Sequence, residues 1–230
     1  MSNLFEKIAN AKEESAEVTE RVRKAAQCVE KRLAEELPGF DTSEIKGLPA
    51  LFNFVARAGA THRSYQLALS PGAPSTAWND YRYGLKGLLF SGGTGTGKTT
   101  LAEFVARHVG AYRFTAPELD FDFSNWSWSD FSDAYETLLW PEPADTLIID
   151  DFGSECSRKR YGNAAFTDDL IERLYEYWCR YNPVQSVLTT NLGYTEIRTR
   201  YGDRAASRIL EMYDFITFGN TDRRRNFLRK

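Results

Sequence analysis

The sequence predicts an α/β fold in which a mostly parallel sheet carries helices on both faces. From residue 85 onward, short apolar runs alternate with stretches of helical periodicity, which is typical of such a sheet. A glycine-rich loop follows the first apolar run, and a pair of acidic residues ends a later one. Polar groups that follow parallel strands collect at the carboxyl edge of the sheet, so we expect a ligand site there.

The composition indicates a folded, soluble, intracellular chain. It has 230 residues, of which 42% are hydrophobic and 27% are charged. No apolar run reaches the roughly 18–20 residues needed to cross a bilayer, and the first residues lack a signal-peptide pattern. Its three cysteines are widely spaced and do not suggest a disulfide framework. The sequence therefore predicts a cytoplasmic protein without a membrane partner.

Charge is distributed unevenly along the chain, although the net charge is only −3. Residues 115–155 contain eleven acidic side chains and no lysine or arginine. Residues 198–230 contain nine basic and four acidic side chains. This balance neither requires nor excludes a nucleic-acid partner, but it allows a basic face near the end of the sequence.

The first 37 residues are predicted to form a helix, because apolar residues recur every three or four positions from Val18 to Leu33. Pro38 and Gly39 are expected to end it. Residues 40–69 are predicted to be further helix, and residues 70–76 form a loop. The apolar stripe is narrow, so residues 1–49 are either a helix packed on the main domain or a partner-binding arm. We therefore divide the chain into an N-terminal helical segment, 1–49, and a main domain, 50–230.

The main domain contains five predicted strands and several predicted helices. The strands are expected at 88–90, 112–114, 146–149, 187–189 and 215–218, and the helices at 98–109, 128–139, 166–181 and 203–212. In the helix at 166–181, Thr167 is the candidate N-cap, and Leu170, Leu174 and Trp178 share one side.

The glycine-rich loop matches the complete phosphate-loop pattern G-x-x-x-x-G-K-[ST], and it lies between a predicted strand and a predicted helix. Glycines let successive N–H groups face phosphate oxygens, and the helix adds its positive end. Lys98 is expected to reach the β- and γ-phosphates, and Thr99 to bind Mg²⁺. The loop therefore predicts a site for a nucleoside triphosphate, with candidate residues Gly92, Gly93, Thr94, Gly95, Thr96, Gly97, Lys98, Thr99 and Thr100.

Two later strands end in polar residues that suit the same site. Asp150 and Asp151 follow the apolar run at 146–149, and Asn191 follows the run at 187–189. Asp150 is expected to hold Mg²⁺ through water, and Asp151 to polarise the attacking water as general base. Asn191 would orient that water, although an asparagine at this position is also typical of a turn.

Six blocks occur together in an order that resembles one protein family. They are GLLFSGGTGTGKTTLA (87–102), YRFTAPEL (112–119), LIIDDFGSE (147–155), SVLTTNL (186–192), GDRAASRILEM (202–212) and FGNTDRR (218–224). The chain is similar over roughly residues 50–228 to AAA+ ATPases of the DnaC/IstB group, which are helicase loaders and helpers of insertion-sequence transposases. The resemblance implies a P-loop NTPase fold of AAA+ type with a five-stranded sheet.

The resemblance also implies a role for each matching residue. Lys98 and Thr99 match the Walker A motif of the family, and Asp150 and Asp151 match its Walker B motif. Asn191 matches the position called sensor 1. In the block at 202–212, Arg208 is the candidate arginine finger that acts on a neighbouring subunit, with Arg204 as the second choice. Arg223 is the sensor-2 candidate. From the residues alone, Arg204 and Arg208 would instead be a solvated helix face.

The function that the resemblance implies is an ATP- and Mg²⁺-dependent switch that forms a homo-oligomer on DNA. The leading interpretation is a loader of a replicative helicase that favours single-stranded DNA, with Arg198, Arg200 and residues 223–225 as candidate DNA contacts. The alternative is an IstB-like helper whose partner is a transposase. A small P-loop kinase and a non-catalytic nucleotide-dependent adaptor are further alternatives.

Three features depart from the family pattern or leave it open. The chain ends twelve residues after the last predicted strand, so we expect a minimal or absent helical lid. Glu155 is a second candidate base beside Asp151. Residues 120–131 are predicted to be an acidic, aromatic loop that carries Trp126 and Trp128, which could stack on bases. Its carboxylates would repel a phosphate backbone, which favours packing or a protein contact.

Overall fold

The computed structural model describes residues 2–68, 85–125, 146–155, 166–181 and 186–223. Its helices are α1 (Ser2–Glu36), α2 (Leu48–Ala68), α3 (Lys98–His108), α4 (Ala116–Asn125), α5 (Phe166–Tyr181) and α6 (Tyr194–Met212). Its strands are β1 (Gly87–Ser91), β2 (Ala111–Thr115), β3 (Thr146–Phe152), β4 (Ser186–Thr190) and β5 (Tyr213–Thr217). The predicted loop 70–76, the predicted helix 128–139, and Trp126 and Trp128 lie outside the described residues.

The five strands form one fully parallel sheet in the order β2-β3-β4-β1-β5. All five predicted strands are confirmed. The central strands β1 and β4 are buried along their whole length, which explains their continuous apolar sequences. Strand β2 lies at an edge of the sheet and is partly exposed. This order places the carboxyl ends of β1, β3 and β4 side by side.

Helices cover both faces of the sheet, as predicted. Because side chains alternate along a strand, Leu88 and Phe90 point into one core, with α1, α2 and α3. Leu89 lies in the second core, with α4, α5 and α6. In α5, Leu170 and Leu174 are buried in this second core, with Trp178 packed against it, as their predicted spacing requires.

The N-terminal helix ends where Pro38 and Gly39 predicted, and Gly39 has the positive φ of 82° that favours glycine. The helix predicted at 40–69, however, begins only at Leu48. The intervening chain runs along β5, where the N–H of Lys46 donates to the carbonyl of Thr217 at 2.9 Å and the reverse bond measures 3.1 Å. Residues from Ala26 to Lys46 thus contribute side chains or backbone contacts to the main domain, and a unit boundary at position 49 stays a prediction.

Helix α4 was not predicted from the sequence, and the loop predicted at 120–131 is wrong for residues 120–125, which form the end of this helix. The start of α4 nevertheless carries a capping signal. Glu118 Oε2 accepts hydrogen bonds from the N–H of Thr115 at 3.1 Å and from its hydroxyl at 2.7 Å. In return, the Glu118 N–H donates to the Thr115 hydroxyl at 3.3 Å. This is the capping box predicted by a threonine followed three residues later by glutamate.

Two helix boundaries also differ from the sequence prediction. Helix α5 begins at Phe166, one residue before the predicted N-cap Thr167. The helix predicted at 203–212 is the second half of α6, which begins at Tyr194 and is interrupted at Gly202, where φ is 86°. A glycine inside a helical pattern favours a boundary in a sequence-based prediction, and in the structure the chain continues as helix on both sides of the kink.

Candidate active site

The phosphate loop joins the end of β1 to the first residue of α3. Gly95 and Gly97 have φ values of 79° and 97°, a region that glycine enters without steric cost. No side chain caps α3, whose N-cap is Gly97, so the N–H groups of its first turn are available to an anion. The loop therefore has the backbone shape that the sequence pattern predicted.

The Lys98 side chain is buried within this loop, with 5% of its surface exposed. Its ammonium donates to the carbonyls of Gly92 at 2.7 Å and Gly93 at 2.8 Å, and to Asn191 Oδ1 at 2.8 Å. Two residues that the sequence assigned to the same site, Lys98 and Asn191, are therefore in direct contact. The carbonyls hold the positive charge at the centre of the loop.

The remaining loop residues divide into those that line the cavity and those that shape the loop. A Cβ on Gly92 would lie 2.7 Å from the Cβ of Phe218, so only glycine fits there. The Thr96 hydroxyl donates to the Gly93 carbonyl at 2.9 Å and tightens the turn. The residues that face the cavity are Thr94, Gly95, Gly97, Lys98, Thr99 and Thr100.

The candidate metal site joins α3 to the end of β3. The Thr99 hydroxyl donates to Asp150 Oδ1 at 3.2 Å, and the Thr189 hydroxyl donates to the same oxygen. Asp150 is buried, with 3% of its surface exposed, so its carboxylate is held in one orientation. A hydroxyl and a carboxylate are the oxygen donors that Mg²⁺ prefers. The residues present therefore fit a magnesium ion bound beside the phosphates.

The two candidate bases occupy different environments. Asp151 is exposed and lines the cavity, and its φ of 56° is rare for a residue with a side chain. Its N–H donates to the Thr189 hydroxyl at 3.0 Å, which supports this conformation. Glu155 is buried; it accepts from the N–H of Gly153 at 2.8 Å and from the hydroxyl of Tyr201. Of the two, only Asp151 reaches the cavity.

A cavity of about 840 Å³ is lined by most of the predicted phosphate-loop residues, whereas Asp150 and Arg208 are not among its lining residues. Its floor is the phosphate loop, and Asp151, Asn191 and Arg223 contribute to its sides. The remaining wall comes from the end of α1 and the chain that follows it, which the sequence did not assign to the site. These wall residues are Glu36, Leu37, Pro38, Gly39, Phe40, Asp41 and Glu44.

Phe40 fixes that wall against the phosphate loop. A Cβ on Gly97 would lie 2.7 Å from Phe40 Cε2, so the ring rests directly on the loop. The Arg223 guanidinium lies 4.5 Å from the centroid of the same ring, a cation–π contact. No sequence signal distinguished Phe40 from an ordinary core aromatic residue. Its role depends on the return of the chain after α1.

Arg223 is tied to the phosphate loop by its backbone. Its N–H donates to the Gly95 carbonyl at 3.0 Å. Its Nη1 atom is buried and has no hydrogen-bond partner among the described residues. A buried guanidinium nitrogen normally has an acceptor, so this group suits an anionic ligand in the cavity. Residues 224–230 lie outside the described chain, so a minimal lid stays a prediction.

The two arginine-finger candidates lie on α6, away from the cavity of their own chain. The Arg208 side chain is only 14% exposed; it pairs with Glu172 and lies 4.8 Å from the Tyr175 ring centroid. Arg204 is 75% exposed, and its Nε lies 3.2 Å from Glu172 Oε1. Both guanidiniums therefore share one carboxylate of α5, and Arg204 is the more accessible of the two.

Comparison with solved structures finds similarity to DnaA and to RuvB, among others. The chain is similar to AMPPCP-bound DnaA from Aquifex aeolicus, with 18% identity and a TM-score of 0.42 over 58% of this chain and 41% of that one. It is also similar to the RuvB Holliday junction branch migration motor of Thermotoga maritima, with 19% identity and a TM-score of 0.35 over 59% and 37%. The chain thus spans less than half of either protein. No curated protein matches it.

The family comparison gives a match that runs from β1 to α6 and leaves out β5. Within the described residues, no helix has both the length and the apolar character that a bilayer requires. The model of the family "ATPase family associated with various cellular activities (AAA)" matches residues 88–211, which is 124 of the 230 residues and so more than half of the chain. That range begins in β1 and includes the phosphate loop, the acidic end of β3, and Asn191. The chain therefore belongs to the AAA family of ATPases.

Proposed function

We propose that this chain binds and hydrolyses ATP, and that the nucleotide cycle controls its assembly on DNA as a loader of a replicative helicase. One observation carries the ATPase part: one cavity is lined by Lys98, Thr99, Asp151 and Asn191, which come from the start of α3 and the ends of two strands, β3 and β4. A loop with only a structural role would not need the buried ammonium of Lys98 and the exposed carboxylate of Asp151 to face the same cavity. The loader role rests on the sequence resemblance to the DnaC/IstB group.

In the proposed binding step, the phosphates lie against the phosphate loop and the first turn of α3. Lys98 would pair with β- and γ-phosphate oxygens. Its ammonium lies inside the phosphate loop, where it donates to the carbonyls of Gly92 and Gly93. Thr99 and Asp150 would hold Mg²⁺, which shields phosphate charge when bound. Arg223 would supply a further cation from the side. The base and sugar would face the wall that includes Phe40.

In the proposed hydrolysis step, Asp151 accepts a proton from the attacking water. The oxygen of that water bonds to the γ-phosphorus, and the bond from the γ-phosphorus to the bridging oxygen breaks to leave ADP and phosphate. Asn191 would orient the water. A guanidinium from α6 of a neighbouring subunit, Arg208 or the more exposed Arg204, would stabilise the developing charge. Turnover would then require a homo-oligomer.

The proposed DNA contacts use the basic end of the sequence, in the cytoplasm where a helicase loader acts. Arg198 is exposed and pairs with Asp203 on the surface. Arg200 suits DNA less well, because it donates to the Glu155 carbonyl at 2.7 Å. Of the candidate contacts at 223–225, the last two residues lie outside the described chain.

The test is a measurement of assembly size by light scattering with ATP and Mg²⁺, with single-stranded DNA, with duplex DNA, and without DNA. ATP-dependent assembly on single strands supports the loader, whereas filaments on duplex DNA support the transposition helper. The variants Arg204→Ala and Arg208→Ala should assemble, and the one that removes the finger should not hydrolyse ATP. A monomer that hydrolyses ATP equally well with either variant would contradict the proposal, and turnover that requires a small-molecule acceptor would support a kinase.

A further inference from the structure

Asp150, the candidate magnesium residue, has an additional partner that the family pattern does not assign. Arg113 on β2 donates from Nη2 to Asp150 Oδ2 at 2.6 Å. The two strands are neighbours, and Arg113 is in register with Ile148, two residues before Asp150. Side chains two residues apart point to the same face of a sheet. Arg113 and Asp150 therefore lie together on the face that carries α3.

Arg113 is also anchored to α3 itself. Its Nη1 donates to Glu103 Oε1 at 3.1 Å. Glu103 follows Thr99 by four residues, so both side chains lie on the same side of the helix. Burial of the guanidinium opposes its charge, but the hydrogen bonds to Asp150 and Glu103 outweigh this effect and raise the pKa of Arg113. It stays charged at any physiological pH.

Through these contacts, Arg113 of β2 connects α3 to the Asp150 carboxylate at the end of β3. Asp150 Oδ1 accepts hydrogen bonds from the hydroxyls of Thr99 and Thr189, and Asp150 Oδ2 accepts one from the guanidinium of Arg113. A buried carboxylate without donors on both oxygens is unstable and would turn toward another partner. The planar fork of an arginine suits this task, because one group can bond to two carboxylates in fixed directions.

We propose that Arg113 is a positioning residue for magnesium, which keeps Asp150 Oδ1 turned toward Thr99 by holding Asp150 Oδ2 and anchoring it to Glu103. This inference rests on the proposed function, since it concerns the Mg²⁺ that accompanies ATP. Arg113 is 34% exposed and does not line the cavity, so it acts through Asp150 and does not contact the nucleotide.

The test measures the affinity of a fluorescent ATP analogue with Mg²⁺ and with EDTA, for the wild type and Arg113→Met. Without Mg²⁺, we expect the affinity to change by less than about twofold, because the phosphate loop is intact. Loss of a residue that orients a metal-binding group weakens metal affinity by about tenfold or more. The Mg²⁺ concentration for half-maximal strengthening of nucleotide binding should rise by that factor.

The matched control is Arg23→Met, which removes an exposed arginine that pairs with Glu20 at 2.7 Å on α1. It should leave the Mg²⁺ dependence unchanged. If Arg113 only stabilises the fold, Arg113→Met should lower the melting temperature and leave the Mg²⁺ dependence of nucleotide binding unchanged. A role as a simple counter-charge would make Mg²⁺ bind more tightly, since a positive charge is removed. Either result would overturn the proposal.

Glu103→Gln keeps the test decisive if Arg113→Met does not fold. Glu103 is about half exposed, so this variant should fold, and loss of one anchor should weaken Mg²⁺ binding by about two- to fourfold. Unchanged Mg²⁺ dependence in Glu103→Gln and in Arg113→Lys would also refute the proposal. Failure of the wild type to bind the analogue with or without Mg²⁺ would instead refute the proposed function.

Discussion

The ammonium of Lys98 lies 2.8 Å from the side-chain oxygen of Asn191, although 93 residues separate them in the sequence. The contact exists because β1 and β4 are neighbours, so that the phosphate loop after β1 meets the residue that follows β4. It joins the group that would bind the γ-phosphate to the group that would orient the water. Besides Asn191, the Lys98 ammonium donates to two carbonyls of the loop itself, those of Gly92 and Gly93.

Asn191→Ala should therefore impair turnover more than binding. Lys98 keeps both loop carbonyls, so we expect the affinity for ATP to change by less than about threefold. The rate of hydrolysis should fall by about 100-fold, the effect of removing one oriented polar group from a reaction site. Steady-state kinetics and nucleotide titration measure the two effects, with Tyr194→Ala, an exposed residue nearby, as the control. A loss confined to ATP affinity would contradict the sensor assignment.

The glycines of the phosphate loop offer a matched pair of variants. Gly97→Ala places a Cβ 2.7 Å from Phe40 on a residue with a φ of 97°, whereas a Cβ on Gly93 meets nothing closer than Thr96 Cγ2 at 3.8 Å. Gly97→Ala should lower the free energy of unfolding by about 1–3 kcal/mol and abolish measurable nucleotide binding. Gly93→Ala should stay within about 0.5 kcal/mol of the wild type. Urea denaturation and nucleotide titration check both, and equal effects would refute the steric explanation.

Phe40→Ala tests the cavity wall that precedes α2. The ring contacts both the phosphate loop and Arg223, so its loss should loosen both the wall and the guanidinium. We expect ATP to bind about tenfold more weakly, which is about 1.4 kcal/mol. Isothermal titration measures this change, and Tyr112→Ala, an exposed residue on β2, should bind ATP normally. Unchanged affinity in Phe40→Ala would show that the segment 36–44 does not contact the nucleotide.

Tyr201→Phe tests the buried contact between the end of β3 and α6. The Tyr201 hydroxyl donates to Glu155, whose carboxylate has almost no exposed surface. Removal of this donor leaves a buried charged oxygen with one partner fewer, so the free energy of unfolding should fall by about 1–3 kcal/mol. Urea denaturation gives the value, and Tyr194→Phe on the surface should leave it unchanged. An equally small effect of both variants would argue against the contact.

Alkaline pH should destabilise the protein partly through Tyr213. This residue is buried on β5, where its hydroxyl lies 2.7 Å from Ser186 Oγ. Burial raises the pKa of Tyr213 above its usual value of 10.0. Tyr213 therefore ionises at a lower pH in the unfolded chain than in the folded protein. Its contribution to the free energy of unfolding is fully present below the unfolded pKa of 10.0 and is lost as the pH rises toward the pKa of the folded state. The fall is about 1.4 kcal/mol for each pH unit. Tyr213→Phe should remove this part of the slope in urea denaturation series above pH 10, and an unchanged slope would contradict it.

Local patterns were sufficient for most of the architecture. The buried strands β1 and β4 are continuous apolar runs, and the phosphate loop is a contiguous motif, so each carries its own signal. Helix α4 was missed because its capping box, from Thr115 to Glu118, was not recognised as a start signal. The helix predicted over residues 40–47 did not form, since Lys46 pairs with β5 instead. Tertiary pairing there overrides local propensity.

The candidate site divides in the same way. The sequence by itself determined the chemistry of the phosphate loop and of the strand ends, because Lys98, Thr99, Asp150 and Asn191 lie in motifs whose spacing has a physical reason. Only the tertiary structure decided that Phe40 forms part of the cavity wall, that Arg113 donates to Asp150, and that Glu155 is buried away from the cavity. Those contacts join residues that are far apart in the chain or lie on adjacent strands. The strand order and the return of the chain after α1 create them, and no local pattern encodes either.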